Sequence, residues 1–155
     1  YTTLFRSVFA KCREIIKKTK SELLMQIWEE DLPNVLKDIQ KLEKQDIRMG
    51  IIYFSNNEDS EVPLKKYCRH GLVDEKRKEM GGRWITLVSD MKEVVFGQIL
   101  SNSMAEVIWT ESKPMIALAA ECVRHDMYFY KSAGIFQEVM QRELGKDYEK
   151  IRDIF

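Results

Sequence analysis

The segments ELLMQIW (Glu22–Trp28) and IRMGIIYFS (residues 47–55) decide the fold. Each is a short apolar run bounded by charge or turn formers, the composition of a strand buried on both faces. Between them Asp31 is expected as a helix N-cap with Pro33 in the first turn. Leu32, Val35, Leu36, Ile39 and Leu42 then mark one helical face that fades by Gln45. Strand, helix and strand within about thirty residues make a βαβ unit with parallel strands and a right-handed crossover. The fold class is therefore α/β.

Working outward, Phe9, Cys12, Ile15 and Ile16 recur at helical spacing and predict an amphipathic helix running to about Lys20. Downstream, residues 56–63 (NNEDSEVP) form a polar loop, residues 64–69 a short strand and residues 73–80 a charged helical turn. Gly81 and Gly82 punctuate. Residues 84–88 and 94–99 then form a hairpin turned by residues 90–93, and residues 107–110 add a strand, so the sheet is mixed and flanked by helices. Pro114 opens a helix reaching about Tyr130, and Gly134 is expected to interrupt it before a last helix from Ile135. That helix carries Ile135, Phe136, Val139, Met140 and Leu144 on one face, suited to packing on its own domain or on a partner.

Bulk properties narrow the function. A chain of 155 residues, 45% hydrophobic, suffices for one domain burying roughly 70% of its unfolded surface. Lys and Arg number 25 and Asp and Glu 25, so no net charge drives this segment onto a phosphate backbone. The runs KKTK and EKRKE are flanked by opposite charge and read as solvated faces. Cys12, Cys68 and Cys122 lie more than fifty residues apart with no C-x-x-C pair, which points to a reduced, cytoplasmic protein without a metal or redox motif. No apolar run approaches the roughly 18 residues that span a bilayer, so no membrane partner is expected. Met25, Met49 and Met115 fall at apolar positions and read as core filling.

Residues 1–7, YTTLFRS, are what TAC ACG ACG CTC TTC CGA TCT, the end of a widely used sequencing adaptor, would encode. They are expected to be an assembly artefact, with natural sequence beginning near Val8 and whatever preceded it missing.

The stretches REIIKKTKSELLMQIWEEDLP (residues 13–33), GGRWITLVSDMKEVVFG (residues 81–97) and VIWTESKPMIALAAECVRHDMY (residues 107–128) resemble the C-terminal half of TrmB-like transcriptional regulators, over nearly all of residues 12–131. The resemblance implies a phospholipase D-like effector-sensing half-domain over residues 8–131, followed by a helical extension over residues 132–155. It also implies a parent protein that dimerises and touches DNA only through an N-terminal winged-helix domain absent from these residues, and several members of the family respond to sugars.

Phospholipase D enzymes carry H-x-K-x-x-x-x-D followed by Gly-Ser, in which His attacks phosphorus and Lys neutralises the phosphoryl oxygens. The matching positions here are Arg83, Ile85 and Asp90, followed by Gly97 and Gln98. A guanidinium stays protonated and cannot attack, and isoleucine offers no charge. No catalytic residue and no cofactor are assigned. Arg83 and Asp90 are expected to pair with each other where the old catalytic site stood, or to hold a ligand's polar groups.

Ligands of open α/β sheets collect at the carboxyl ends of strands. Trp28, Glu29 and Glu30 end the first strand, Tyr53 and Ser55 the second, and Trp109 with Glu111 repeats the pairing of ring and carboxylate that sugars favour. For each tryptophan a core position with its indole N–H satisfied is favoured over the pocket. His70, in CRHG, is a ligand candidate or a turn residue, and His125 is a cation at a helix end. Three functions compete: a non-catalytic sensor of a sugar or sugar phosphate acting through a homodimer, a dimerisation module with a vestigial pocket, and a phosphodiesterase using other residues.

Overall fold

The computed structural model describes residues 2–57, 61–100, 104–146 and 148–152. Part of the expected polar loop (residues 58–60), Tyr1 of the opening heptapeptide and the last residues of the helical extension lie outside the described residues. The elements run β1 (Thr2–Leu4), α1 (Phe5–Lys18), β2 (Glu22–Trp28), α2 (Leu36–Glu43), β3 (Arg48–Phe54), β4 (Cys68–His70), α3 (Val73–Glu79), β5 (Arg83–Ser89), β6 (Glu93–Ile99), β7 (Met104–Thr110), α4 (Lys113–Ile135), α5 (Gln137–Leu144) and α6 (Glu149–Arg152). Their strands form one sheet in the order β1-β7-β6-β5-β2-β3-β4. β2, β3 and β4 are parallel, whereas β5, β6, β7 and β1 join antiparallel, so the sheet is mixed as the pattern requires.

The apolar runs of β2 and β3 are nearly unbroken because both faces of the sheet are covered. Leu23, Met25 and Ile27 of β2, with Ile51 and Tyr53 of β3, join Phe9, Cys12, Ile15 and Ile16 of α1 and Ile39 and Leu42 of α2 in one core. The alternate residues Leu24 and Trp28, with Ile52 and Phe54, meet Ile116, Ala119, Ala120 and Val123 of α4 in a second core. Each buried aliphatic side chain contributes about 1.5–3 kcal/mol, so the two layers carry the fold.

Three local expectations give way to tertiary contacts. Asp31 caps nothing with its side chain: a 3-10 turn over Leu32–Asn34 follows it, the helix starts only at Leu36, and the Asp31 carboxylate is engaged by Arg83. Gly134 does not interrupt α4, which continues to Ile135, because packing on the sheet outweighs the roughly 1 kcal/mol that glycine costs a helix. His125 therefore sits well inside α4 and not at its end. The chain region over residues 64–69 yields a strand only at Cys68–His70, where β3 offers an edge to pair with.

The β5–β6 hairpin turns at Asp90 and Met91, both with φ near +50°, and Lys92 N–H closes it on Ser89 O at 2.9 Å. Two successive left-handed residues are the mark of a type I′ turn. Among the described residues no helix is long and apolar enough to cross a membrane.

Candidate effector site

The carboxyl ends of β3 and β4 open into a cleft of about 380 Å³, lined by Ser55, Asn56, Arg69, Gly71, Leu72, Tyr130, Gln137, Gln141, Lys146 and Tyr148. An adjoining chamber of about 140 Å³ lies between His70, Lys76, Glu79, Asp126, Phe129, Tyr130, Tyr148 and Ile151. Leu72, Tyr130 and Tyr148 line both. The strand ends supply one wall, α4 a second, and the α5–α6 segment the third. This is where a parallel α/β sheet places ligands, since the strand ends leave backbone and side chains pointing past the sheet with nothing stacked upon them.

Local hydrogen bonds fix the strand-end wall. Ser55 Oγ donates to Glu29 Oε2 at 2.7 Å and accepts from Asn57 N–H at 3.1 Å, which fixes its hydroxyl at the strand end. Asn56 Oδ1 accepts Val73 N–H at 2.9 Å, which ties the loop after β3 to the start of α3. His70 is 2% exposed and stands between the rings of Phe54 and Tyr130, at centroid distances of 4.7 and 4.5 Å. Its Nδ1 meets Gly71 O, so it is a buried residue of the chamber wall and not a surface turn.

The residues singled out in the sequence divide. Glu29 stands one hydrogen bond behind the cleft, and His70 lines the chamber. Trp28 is wholly enclosed: it stacks on Phe54 at 4.5 Å, donates from Nε1 to Trp84 O at 2.8 Å, and lies under the guanidinium of Arg77 at 5.3 Å. Glu30 is held by Arg77 at 2.5 Å. Tyr53 belongs to the core on the α1–α2 face, edge-on to Tyr67 at 6.1 Å, with its hydroxyl hydrogen-bonded to Ser55 behind the cleft wall. Trp109 lies on β7, beyond β5 and β6 from Trp28, donating to Glu93 Oε2 at 2.7 Å beneath Lys11 Nζ, and Glu111 is exposed just past that strand.

Arg83 and Asp90 do not pair, contrary to expectation. They sit at opposite ends of β5 because an extended strand separates them. Arg83 instead makes a two-point ion pair with Asp31, from Nε at 3.1 Å and Nη2 at 3.3 Å. Burial raises the Asp31 carboxyl above its usual value, against the pull of Arg83. Asp90 accepts from the backbone N–H groups of Lys20, Ser21 and Glu22 and from Ser21 Oγ, over 2.8 to 3.2 Å. Its partial burial raises the carboxyl pKa, but these donors outweigh that and hold it below the usual range. Ile85 is 1% exposed within the core under α1. Gly97 faces β7 so closely that a Cβ would lie 2.5 Å from Val107 Cα.

The sequence reading missed Asn56, Arg69, Tyr130, Gln137, Gln141, Lys146 and Tyr148. Two signals were available: Arg69 precedes His70 in CRHG, and Gln137 and Gln141 share a polar face of α5 at helical spacing. The convergence of segments some seventy residues apart has no local signature.

The fold is that of phospholipase D-like proteins. Similar solved structures are NucT from Helicobacter pylori (TM-score 0.59, 17% identity, 81% of this chain and 94% of that one) and Nuc from Salmonella typhimurium, a phospholipase D family member (TM-score 0.60, 10% identity, 84% and 93%). TrmBL2, an archaeal chromatin protein, superposes with a TM-score of 0.60 at 17% identity over 83% of this chain and 51% of that one. The family model for the transcriptional regulator TrmB, EBD N-terminal subdomain, matches residues 2–121, and the chain belongs to that family. It is 23% identical over 148 residues to the uncharacterised protein YrhO of Bacillus subtilis strain 168, covering 96% of this chain and spanning about half (53%) of that relative's length.

Proposed function

We propose that this chain is the non-catalytic effector-binding and dimerisation part of a cytoplasmic transcriptional regulator, sensing a sugar or related small metabolite. DNA contact belongs to a separate winged-helix domain of the parent protein, in keeping with the balanced charge of these residues. The observation that carries the reading is a division of labour. The positions that serve phosphodiester chemistry in phospholipase D enzymes are built into the scaffold as Arg83 with Asp31, Ile85 in the core and Asp90 in a turn, while a polar cleft stands open at the carboxyl ends of β3 and β4. A buried isoleucine and a paired guanidinium supply neither nucleophile nor phosphoryl clamp.

A sensor needs differential affinity for two states. The α5–α6 segment suits that role, since α5 buries none of its residues yet Gln137 and Gln141 line the cleft. The reading is tested by thermal unfolding against a panel of sugars, sugar phosphates and nucleotides, where a ligand at about 100 times its Kd stabilises by about 2.7 kcal/mol. A shift abolished by Tyr130→Ala supports the sensor, and the absence of any shift rejects it.

A second reading, dimerisation alone, is favoured by one observation. Leu118, Tyr128, Ile135, Phe136 and Val139 are 48–75% exposed along the outer side of α4 and α5. An apolar stripe of that kind marks an interaction surface.

A further inference from the structure

We propose that the cleft and its chamber together take a phosphorylated sugar, with the phosphate in the outer cleft beside Arg69 and Lys146 and the sugar ring in the inner chamber. This rests on the sensor reading and gives it a ligand class.

The outer cleft is a donor site. Among its described lining residues are two cations, Arg69 and Lys146, and no carboxylate. Asn56 has committed its carboxamide oxygen to Val73 N–H, so what it offers a ligand is N–H, and Gln137 and Gln141 add two more amides. Five side chains able to donate, two of them charged, match a ligand head made of acceptors with negative charge, and a guanidinium beside an ammonium is the pairing that phosphate oxygens accept best.

The inner chamber differs in character: aromatic rings dominate its walls, and its lysine, Lys76, is paired with Glu79 at 3.1 Å. Its volume of about 140 Å³ is close to the ~150 Å³ of a cavity that holds one six-membered ring. Phe129, Tyr130 and Tyr148 give it aromatic walls, with Phe129 edge-on to both tyrosines at 5.2 and 5.7 Å. Asp126 supplies a part-buried carboxylate whose Oδ2 takes the amide N–H of Gln26 at 2.7 Å. Its Oδ1 has no protein donor among the described residues and is suited to a ligand hydroxyl. Rings for C–H faces and a carboxylate for hydroxyls are what a sugar ring requires, and they are not what a phosphate tolerates.

Continuity joins the two halves. Leu72, Tyr130 and Tyr148 are shared walls, so one ligand occupies both spaces. Of the four described non-glycine residues with positive φ, Asp90 and Met91 make the hairpin turn, and the other two are Leu72 (φ 57°) and Tyr148 (φ 56°). Left-handed backbone at a bulky residue costs roughly 1–3 kcal/mol and clusters at ligand sites. Both strained residues stand at the junction of cleft and chamber.

The test is isothermal titration of the 155-residue chain with glucose 6-phosphate, glucose, inorganic phosphate and uridine monophosphate, together with hydrogen exchange of α5. Glucose 6-phosphate is expected to bind and to protect α5, inorganic phosphate to bind weakly, and glucose to bind at least about tenfold more weakly than its phosphate. Exposed Lys146→Ala is expected to weaken the sugar phosphate about tenfold or more while leaving the melting temperature of the free protein unchanged, and Asp126→Asn to weaken it without altering the affinity for inorganic phosphate. Equal binding of glucose and its phosphate, or an unaffected Lys146→Ala, overturns the phosphate assignment. Preference for uridine monophosphate overturns the sugar ring. Should none of the four bind, this proposal fails, whereas the sensor reading fails only if the wider metabolite panel is also silent.

Discussion

Asp31 and Arg83 face each other across the β2–β5 side of the sheet, joined at two points over 3.1 and 3.3 Å, with the carboxylate side chain 3% and the guanidinium 15% exposed. The pair is a clasp that fixes the chain leaving β2 against the start of β5. Arg83→Ala should cost about 3–5 kcal/mol, because it strands a buried carboxylate. Since burial already raises the Asp31 pKa above its usual 3.8, that residue favours the fold below this value and loses the contribution as pH rises. The deficit of Arg83→Ala should therefore be larger at neutral than at acid pH, as urea denaturation at both will read. A deficit independent of pH would refute the clasp.

Asp90 works in the other direction. Its pKa is lowered by the N–H and O–H groups of residues 20–22, so its contribution is present above the ordinary carboxylate pKa and disappears as pH falls through the folded value. Asp90→Ala should cost about 1.5–3 kcal/mol, the range for hydrogen bonds to a charged group, and Asp90→Asn should recover little of it despite tolerating φ of 51°. Thermal melts of both variants at neutral pH decide the point.

Gly97→Ala should destabilise by about 1–3 kcal/mol through forced separation of β6 and β7, because the neighbours of the new Cβ are backbone atoms of Glu106 and Val107. A melt within error of the parent would show that the two strands part freely.

Rebuilding the phospholipase D motif should not rebuild the enzyme. Ile85→Lys places an ammonium in the core under α1, where Val95, Ile99 and Ala105 offer no partner, and should unfold or severely destabilise the chain. Arg83→His with Ile85→Lys is expected to show no hydrolysis of bis-(p-nitrophenyl) phosphate. Turnover by the parent chain would overturn its non-catalytic reading.

The outer stripe of α4 and α5 makes a separate prediction. Phe136→Ser with Val139→Ser should change stability by no more than about 0.5 kcal/mol, since both side chains are 48% or more exposed. On the dimer reading the parent is expected to sediment as a dimer and the double variant as a monomer. An unchanged oligomeric state would remove this face from the interface.

The sequence by itself determined the strand, helix, strand order of β2, α2 and β3 and the β5–β6 hairpin. These follow from local patterns: hydrophobic period, turn formers and motif spacing are read within a window of a few residues. Tertiary structure alone decided which side chains meet. Whether Trp28 faced a ligand or the core depended on Phe54 and Trp84 lying beside it, and whether Asp31 capped a helix depended on Arg83 arriving from more than fifty residues away. The cleft is the extreme case, because Asn56, Arg69, Tyr130 and Lys146 come together only once α4 has packed across the sheet and carried α5 and α6 to the carboxyl ends of β3 and β4. Secondary structure is a property of neighbours in sequence, whereas a binding site is a property of neighbours in space.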